Sequence, residues 1–378
     1  MRTQISAAST KTYFFLFLFL LRTEDEPLSK SEFSAGAAVP LRYQDAPLDW
    51  LNDKSILITG GTGSFGKQFV RTILEQGNPK RVAILSRDEF KQYQMAQEFA
   101  DLDKNRALRF LLGDVRDANR LELAFRNVDY VVHAAALKQV PAAEYNPFEC
   151  INTNVIGAEN VVQAAIRNQV KSVLALSTDK AANPINLYGA SKLASDKIFI
   201  AANNMSGDIG TRFAAVRYGN VIGSRGSVVE LYQRMVAEGA TSLPVTDERM
   251  TRFWITIQQG VNFVLSSIDM MRGGEIFIPK VASMKVTDVA DAFLPGAKHD
   301  IIGIRPGEKL HEALITQDDA RNTINIGDRF IIEPEFAFWS REQYSKRGAE
   351  PVADDFDYVS NINTEWLDAT GLNKLLNR

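Results

Sequence analysis

Cysteine and histidine are both scarce in this sequence. One cysteine, Cys150, and three histidines occur among 378 residues. A single cysteine excludes an internal disulfide, and so few thiol and imidazole groups offer little to a zinc site or another soft-metal site. We therefore predict that the protein holds no metal ion and works in a reducing, cytoplasmic setting.

An excess of charge of one sign is missing as well. The chain has 43 Lys and Arg against 46 Asp and Glu, a formal net charge of -3, and its basic residues are scattered along the sequence. A nucleic-acid-binding surface needs clustered positive charge, so we predict no nucleic-acid partner. The composition, 45% hydrophobic and 24% charged, is that of an ordinary globular protein, which excludes disorder as the main state.

The apolar run near the N-terminus is too short to span a bilayer. Residues 13–21 (YFFLFLFLL) are nine apolar residues, whereas a spanning helix needs about 20. Three interpretations stay open: a targeting segment, an anchor on the membrane surface, and sequence upstream of the true translation start. We predict that residues 1–50 form a mobile N-terminal extension without firm membrane association, and that the folded protein begins at Leu51.

A glycine-rich turn follows the first predicted strand, at residues 56–58. Gly60, Gly63 and Gly66 are spaced three residues apart, and a helical segment over residues 67–76 follows them. This order presents backbone N–H groups at a helix N-terminus, where a pyrophosphate is stabilised and a side chain would block its approach. The spacing predicts a dinucleotide site, with a purely structural glycine turn as the alternative.

The strand-helix alternation then continues through the first half of the chain. Further strands are predicted at residues 81–85, 108–115, 129–136 and 171–176. Such alternation predicts an α/β fold with a Rossmann-like, doubly wound parallel sheet and ligands at the carboxyl ends of the strands. We predict a nucleotide-binding domain over residues 51–220. Residues 221–378 should form mainly a smaller C-terminal α/β substrate-binding domain, with some segments returning to the first domain.

The end of the second strand bears on the choice of dinucleotide. Many NAD-binding proteins place an acidic residue there, on the ribose hydroxyls. Here the strand ends in Ser86 and Arg87, which can bind a 2′-phosphate that an acidic residue would repel, so the sequence predicts NADP. Asp88 and Glu89 follow at once and keep NAD open as the alternative.

A candidate catalytic group follows the fifth strand. Thr178, Asp179 and Lys180 come directly after that strand, and a predicted helix then carries Tyr188 and Lys192. Residues four apart share one helical face, so the lysine ammonium can lower the pKa of the phenol and hold the nicotinamide ribose. The tyrosine can then exchange a proton with a sugar hydroxyl. The alternative is that these are two surface residues of a helix.

Four segments together resemble one protein family. Residues 86–89, 133–141, 178–188 and 217–227 are similar to the inverting UDP-N-acetylglucosamine 4,6-dehydratases of the pseudaminic acid pathway, which are extended short-chain dehydrogenases. The similarity runs from about residue 51 to about residue 334. It implies a lyase that uses NADP, takes UDP-N-acetylglucosamine as substrate and assembles into a closed homo-oligomer, often a hexamer.

The resemblance also implies a reaction and a role for each catalytic residue. The family oxidises carbon 4 of the hexose, eliminates water across carbons 5 and 6, and returns the hydride to carbon 6. Tyr188 would assist the oxidation with Thr178 and Lys192, Asp179 would protonate the departing hydroxyl, and Lys180 would remove the carbon 5 proton. As a base Lys180 must be neutral, and we expect burial beside the cofactor to lower its pKa. The alternative is a lysine that only contacts phosphate or ribose.

The stereochemical outcome depends on two positions. Dehydratases acting on dTDP-glucose carry glutamate where this chain has Lys180, whereas both inverting and retaining UDP-N-acetylglucosamine enzymes carry lysine. The retaining enzymes are typically membrane-anchored and have methionine in place of Tyr188, so the tyrosine indicates the inverting branch. A retaining dehydratase, a UDP-sugar 4-epimerase and a non-catalytic NADP-binding protein stay as alternative functions.

The same resemblance, with the patterns above, predicts the residues that contact each ligand. The predicted cofactor contacts are Gly60, Thr62, Gly63, Ser64, Phe65, Gly66, Ser86, Arg87, Asp88, Glu89, Lys91, Gln92, Asp114, Val115, Ala135, Lys138, Tyr188 and Lys192. The predicted substrate contacts are Lys138, Asn220, Gly226, Ser227, Val228, Thr246, Met250, Arg252, Arg305 and Glu308. Arg252 and Arg305 would each form paired hydrogen bonds with a phosphate.

Overall fold

The computed structural model describes Tyr43, residues 48–336 and residues 339–376. Most of the predicted N-terminal extension, including the apolar run at residues 13–21, lies outside this part of the chain. Within the described residues, no helix combines the length and the apolar character needed to cross a membrane.

The strands of the described residues are short and mostly apolar. In chain order they are β1 (Ser55–Thr59), β2 (Arg81–Ser86), β3 (Leu108–Leu112), β4 (Tyr130–His133), β5 (Ser172–Leu176), β6 (Arg212–Val216), β7 (Asn220–Ile222), β8 (Ser242–Val245), β9 (Thr251–Thr256), β10 (Ile276–Pro279), β11 (Ala282–Lys285), β12 (Lys298–Ile301), β13 (Ala313–Ile315), β14 (Thr323–Asn325), β15 (Arg329–Ile332), β16 (Glu350–Pro351) and β17 (Tyr358–Val359).

The main sheet has ten strands in the order β16-β14-β15-β10-β6-β5-β4-β1-β2-β3. Strands β1 to β6 and β10 pair in parallel. Strands β15, β14 and β16 extend one edge in antiparallel fashion. All five residues of β1 are buried, as expected for a parallel strand covered on both faces. The predicted doubly wound, mainly parallel sheet is therefore confirmed.

The chain order reverses at β1, and this reversal positions the site. Strands β2 and β3 lie on one side of β1, whereas β4, β5 and β6 lie on the other. In such a sheet, connections from neighbouring strands leave in opposite directions and open a crevice at the carboxyl ends. The crevice here lies beyond β1 and β4, between Thr59 and His133, which are register partners.

The helices cover the sheet and build the second half of the molecule. They are α1 (Ser64–Gln76), α2 (Glu89–Glu98), α3 (Ala118–Ala124), α4 (Val140–Tyr145), α5 (Pro147–Ile151), α6 (Gly157–Arg167), α7 (Leu187–Met205), α8 (Val228–Ala237), α9 (Ile257–Met270), α10 (Val286–Phe293), α11 (Gln317–Ala320), α12 (Glu342–Ser345) and α13 (Ala369–Leu375). A π-helical turn joins α5 to α6, and short 3₁₀ turns lie at Leu48–Leu51, Asp179–Ala181 and Gly207–Ile209. The helices pack through an apolar face. Helix α1, for example, buries Phe69, Val70 and Ile73 from one face.

The second half of the chain contributes to two different cores. Its strands β10, β14, β15 and β16 join the main sheet, whereas three small sheets form beside it: β11-β9-β7, β12-β8 and β13-β17. A separate cluster of buried side chains lies among the sheets β11-β9-β7 and β12-β8 and helices α8 and α10, and it includes Tyr232, Trp254 and Phe293. We propose that this second core marks the substrate-binding part of the molecule.

Candidate active site

A cleft of about 810 Å³ runs along the carboxyl ends of the central strands and is lined by both halves of the chain. Every residue predicted to catalyse or to bind a ligand lines this cleft, except Glu89, Gln92 and Asp179. Residues far apart in sequence, such as Gly60, Tyr188 and Arg305, therefore face one space. In the described residues, no group of three or more His, Cys, Asp or Glu side chains could hold a metal ion.

The glycine turn after β1 fits a phosphate group. A Cβ on Gly60 would lie 2.9 Å from the Ala135 backbone, and Gly60 has a positive φ of 67° that favours glycine. A Cβ on Gly66 would lie 2.3 Å from the carbonyl of Gly61, so the turn packs as closely as backbone allows. No side chain caps the N-terminus of α1 at Gly63. The first amides of this helix therefore face the cleft without a side-chain acceptor, as an anion site requires.

The end of β2 places two cations beside the cleft, and the acidic residue between them, Asp88, caps a helix. The Asp88 carboxylate accepts a hydrogen bond of 2.9 Å from the Lys91 amide and caps helix α2. Those interactions with Lys91 hold the pKa of Asp88 below its ordinary value. Arg87 is more than half exposed, and its guanidinium lies 3.6 Å from Asp114. Arg87 and Lys91 both line the cleft.

Two residues predicted to contact the cofactor lie off the cleft. Glu89 is exposed in the first turn of α2. Gln92 is buried, and its amide donates to the Ser86 carbonyl, the Ser86 hydroxyl and the Leu111 carbonyl. Gln92 therefore joins the ends of β2 and β3 and supports the position of Ser86 from behind.

The carboxyl end of β5 holds the candidate catalytic acid. Asp179 is 1% exposed and begins a 3₁₀ turn for which Thr178 is the N-cap. Its Oδ1 accepts hydrogen bonds from the Thr178 hydroxyl at 2.9 Å and from Lys180 Nζ at 3.1 Å, whereas its buried Oδ2 has no hydrogen-bond partner. Asp179 thus contacts Lys180, which itself lines the cleft.

Lys180 lies between two carboxylates. Its Nζ is 3.1 Å from Asp179 Oδ1 and 3.1 Å from Glu312 Oε1. Burial lowers the pKa of Lys180, but Asp179 and Glu312 together raise it by more, so it lies above the ordinary lysine value. The expectation of a lowered pKa was therefore wrong. That expectation was based on burial alone. It did not include the charge of Glu312, which is distant from Lys180 in sequence.

The phenol of Tyr188 also differs from the expectation. Burial raises the pKa of Tyr188 to about 12, and the charge of Lys180 and a hydrogen bond with Thr178 oppose that rise. In the protein alone Lys180 is the cation that lowers the pKa of this phenol most, and the effect expected of Lys192 stays a prediction.

Lys192 instead belongs to a buried network beneath the site. Burial lowers the pKa of Lys192, and the neighbouring Asp196 opposes that change. Asp196 accepts a hydrogen bond of 2.7 Å from Ser177 and lies 3.6 Å from the Arg217 guanidinium. The network joins α7, which carries Lys192, to the ends of β5 and β6.

His133 is buried at the base of the crevice. Its Nδ1 lies 2.9 Å from the Thr59 hydroxyl, and burial lowers its pKa to about 3. The same Thr59 hydroxyl accepts hydrogen bonds from the amides of Ala134 and Ala135, each at 3.2 Å. This cluster holds the end of β4 against the glycine turn.

A loop after β7 crosses the cleft to the glycine turn. The Arg225 guanidinium donates to the Thr62 carbonyl at 3.0 Å, and the Arg225 amide donates to the Ser64 hydroxyl at 3.2 Å. Lys138 Nζ donates to the Arg225 carbonyl at 3.1 Å. Arg225 was not among the predicted contacts, although it directly precedes Gly226, which was.

The two arginines predicted to bind phosphate differ in their surroundings. Arg252 is buried, and its terminal nitrogens donate to the carbonyls of Thr251, Lys309 and Leu310. Arg305 forms an ion pair of 2.5 Å with Glu308 at the cleft, and its Nε has no hydrogen-bond partner. Arg305 is therefore better placed than Arg252 to bind a phosphate.

The remaining substrate-side residues form the wall of the cleft. Ser227 caps helix α8 by accepting from the Glu230 amide, so Val228 begins that helix at the cleft. The Thr246 hydroxyl contacts Met250 Sδ at 2.9 Å, and both side chains are buried. Gly226 has a φ of 72°, in the left-handed region that favours glycine.

Comparison with known proteins identifies close relatives. The profile of a family described as polysaccharide biosynthesis protein matches residues 56–334. A UDP-N-acetylglucosamine 4,6-dehydratase (inverting) from Campylobacter jejuni is 52% identical over 331 residues, which are 86% of this chain and 98% of that protein. A protein named UDP-glucose 4-epimerase from Rickettsia canadensis is 40% identical over 331 residues, 86% of this chain and 95% of its own.

Solved structures share the fold over most of the chain. Pen from Bacillus thuringiensis is 35% identical with a TM-score of 0.79, covering 87% of this chain and 98% of that one. DesIV from Streptomyces venezuelae, a dTDP-glucose 4,6-dehydratase with NAD and TYD bound, is 25% identical with a TM-score of 0.59, covering 68% of this chain and 86% of its own.

Proposed function

The chain belongs to the polysaccharide biosynthesis protein family, and we propose that within it the protein is a UDP-N-acetylglucosamine 4,6-dehydratase that inverts carbon 5. The observation that carries this proposal is the contact between the buried Asp179 and Lys180 at the carboxyl end of β5, where Lys180 and Tyr188 line the same cleft. An acid and a base in contact are what an elimination of water requires.

A nicotinamide dinucleotide fits the first half of the cleft. The solved relative DesIV holds NAD, and the close-packed glycine turn with its uncapped α1 N-terminus suits a pyrophosphate. When bound, the dinucleotide supplies the acceptor for the carbon 4 hydride and the donor for carbon 6. Lys192 and Tyr188 would hold its nicotinamide ribose, and Asp114 and Val115 its adenine side.

We propose NADP over NAD. Support comes from the end of β2, where Arg87 and Lys91 line the cleft and Asp88 is committed to capping α2. Two cations that line the cleft, with Glu89 lying off it, favour a 2′-phosphate over a bare ribose hydroxyl pair. Comparing the affinities of the purified protein for NADP and NAD by calorimetry tests this choice, and tighter binding of NAD would refute it.

The proposed reaction begins at carbon 4 of the sugar. Tyr188 hydrogen-bonds the carbon 4 hydroxyl and accepts its proton while the carbon becomes a ketone. The ketone matters because it acidifies the hydrogen on neighbouring carbon 5. Lys180, whose positive charge lowers the pKa of the phenol, stabilises the phenolate form.

The elimination then uses Lys180 and Asp179 together. Moving one proton from Lys180 to Asp179, along their contact of 3.1 Å, produces a neutral amine and a carboxylic acid without changing the total charge. The amine can take the carbon 5 proton, and the acid can protonate the departing carbon 6 hydroxyl. The raised pKa of Lys180 makes the neutral amine a strong base, and forming it costs free energy because the pair is more stable as ammonium and carboxylate.

The uridine diphosphate would occupy the second half of the cleft. Arg305 and Lys138 provide positive charge there, and Asn220 with the turn at Gly226 and Ser227 provides polar groups. We propose that Arg252 orders this wall through its carbonyl contacts more than it binds phosphate directly.

A 4-epimerase is the second candidate, because relatives at 40% identity bear that name. An epimerase returns hydride to carbon 4 and needs no buried acid–base pair at the end of β5, which argues for the dehydratase. Incubation with UDP-N-acetylglucosamine and NMR of the product separates the outcomes. We expect a 4-keto-6-deoxy sugar, inverted at carbon 5 and carrying solvent deuterium there. A 4-epimer, an uninverted ketone or unchanged substrate would refute the proposal.

We further propose that the protein acts in the cytoplasm as a closed homo-oligomer, a hexamer by its resemblance, in pseudaminic acid-type sugar synthesis. Tyr145 and Phe148, on adjacent helices α4 and α5, are 82% and 81% exposed, and large apolar side chains exposed together are typical of a surface covered in an assembly. Light scattering of the purified protein tests this, since a monomer at micromolar concentration would refute it.

A further inference from the structure

Glu312 is a buried carboxylate that faces the catalytic lysine from the opposite half of the chain. It lies in the loop before β13, is 1% exposed and lines the cleft. Its backbone is fixed on both sides by Ser360, since the Glu312 amide donates to the Ser360 hydroxyl at 3.0 Å and the Ser360 amide donates to the Glu312 carbonyl at 2.8 Å. The side chain is therefore held in place independently of any ligand.

Lys180 is the nearest cation to this carboxylate. Its Nζ lies 3.1 Å from Glu312 Oε1, whereas Lys309 Nζ and Arg252 Nε lie 3.7 and 3.9 Å from the same carboxylate. Lys309 donates to the Ala182 carbonyl at 2.6 Å, and Arg252 is bonded to backbone carbonyls. Oε2 of Glu312 has no hydrogen-bond partner.

Burying such a carboxylate is not explained by stability. An ion pair buried in a protein is seldom more stable than apolar side chains of the same volume, because both charges lose their hydration. The arrangement therefore suggests a function at the cleft. Glu312 contacts Lys180 from one side while Asp179 contacts it from the other, so the ammonium is held by two carboxylates of different backbone origin.

We propose that Glu312 is the positioning residue of the dehydration step: it orients the Lys180 amine and stabilises the ammonium that Lys180 becomes on taking the carbon 5 proton. This inference rests on the proposed dehydratase function. In the step, the C5–H bond breaks and its proton forms an N–H bond on Lys180. The electron pair of that C–H bond forms the C5–C6 double bond, the C6–O bond breaks, and the hydroxyl leaves as water with the proton from Asp179.

Glu312 keeps its charge throughout, which distinguishes its role from that of Asp179. Asp179 starts the step as an acid and ends it as a carboxylate, so it cannot attract the ammonium until its own proton has left. Glu312 is charged from the start and favours the ammonium as it forms. A carboxylate that stabilises the cation of a catalytic base in this way acts as the aspartate of a serine-protease triad does.

The test is Glu312→Gln, which keeps the shape of the side chain and removes the charge. We expect kcat to fall about 10²-fold, the size of a general-base contribution, with KM changed less than about threefold. Solvent deuterium should enter carbon 5 more slowly in the same proportion. A carbon 5-deuterated substrate should show a larger isotope effect than with the unaltered protein, because proton removal becomes slower than the other steps.

The pH profile gives a readout that a structural role would not move. The active form holds one proton shared by Asp179 and Lys180, and the activity ends when that proton is lost at high pH. Because Glu312 contributes to the raised pKa of Lys180, removing its charge lowers that pKa. The alkaline limb of kcat should therefore move to lower pH in Glu312→Gln, and Glu312→Asp should lie between the two.

Glu275→Gln is the matched control. Glu275 is fully buried, accepts hydrogen bonds from Tyr344 and the Gly273 amide, and does not line the cleft, so its variant should keep the unaltered rate and pH profile. Unaltered kcat and pH profile in Glu312→Gln, or a loss seen only in KM, would overturn the inference. If Glu312→Gln does not fold, the pH profile of kcat is measured for Glu312→Asp instead, and an unshifted alkaline limb would overturn the inference. Failure of the unaltered protein to convert the substrate would instead refute the proposed function.

Discussion

Replacing Lys180 with methionine should destabilise the protein in a pH-dependent way. The variant keeps the length of the side chain but leaves Asp179 and Glu312 buried without the cation that lies 3.1 Å from each. At an effective dielectric constant of about 20, each contact corresponds to about 5 kcal/mol of attraction, which the lost hydration of the three charges largely offsets. We expect a net loss of about 3 to 5 kcal/mol in the free energy of unfolding, as for other buried pairs broken on one side.

The sign of the pH dependence follows from the charges. Because the pKa of Lys180 is raised, its contribution in the unaltered protein is present below the pKa of an unfolded lysine and is lost only above that value. In Lys180→Met, protonating one carboxylate relieves the repulsion between the two. The variant should therefore lose less stability at pH 5.5 than at pH 8.

Urea denaturation at both pH values measures the effect. Lys171→Met is the control, since Lys171 is half exposed and pairs with Asp129 at 2.9 Å, a surface contact worth less than about 1 kcal/mol. Equal losses for Lys180→Met at the two pH values would refute the reasoning. A loss in the free energy of unfolding for Lys180→Met that is no larger than that for Lys171→Met would also refute it.

Three further predictions concern the ligands. Arg87→Ala should weaken NADP binding about tenfold and leave NAD binding unchanged, measured by calorimetry, because one charged hydrogen bond to the 2′-phosphate is lost. Arg225→Ala should speed cofactor release about tenfold in stopped-flow displacement, because the contact with the Thr62 carbonyl is lost; an unchanged release rate would count against a role in cofactor retention. Tyr188→Phe should lower the rate of carbon 4 oxidation about 10²-fold, followed by reduced-cofactor absorbance, and an unaffected oxidation would exclude the tyrosine from that step.

The parts of the fold that the sequence predicted are those fixed by neighbouring residues. Strand β1, the glycine turn and helix α1 follow one another directly, so their periodicity and spacing contain the needed information. The same holds for Tyr188 and Lys192, which share one turn of α7. The antiparallel edge of β14, β15 and β16 was not predicted strand by strand, because short strands are specified by their partners more than by their own residues.

Contacts between distant segments explain what was missed at the site. Glu312 follows an apolar-poor, charged stretch in the sequence, and nothing local indicates that it is buried against Lys180. Arg225 likewise reaches the glycine turn only because two halves of the chain meet. A sequence pattern identifies residues with suitable chemistry, whereas their partners depend on the tertiary arrangement.

The error about the Lys180 pKa shows why partners matter for the chemistry. Burial alone predicts a lysine with a lowered pKa. Such an amine is already neutral at neutral pH, but it is a weak base with little affinity for a carbon-bound proton. Two carboxylates reverse this prediction and make a stronger base, which is normally protonated. Such a base works only if its proton has a nearby acceptor, and Asp179 is that acceptor at 3.1 Å. The same transfer makes Asp179 the acid for the departing hydroxyl, so the ion pair is the resting form of the acid and the base together.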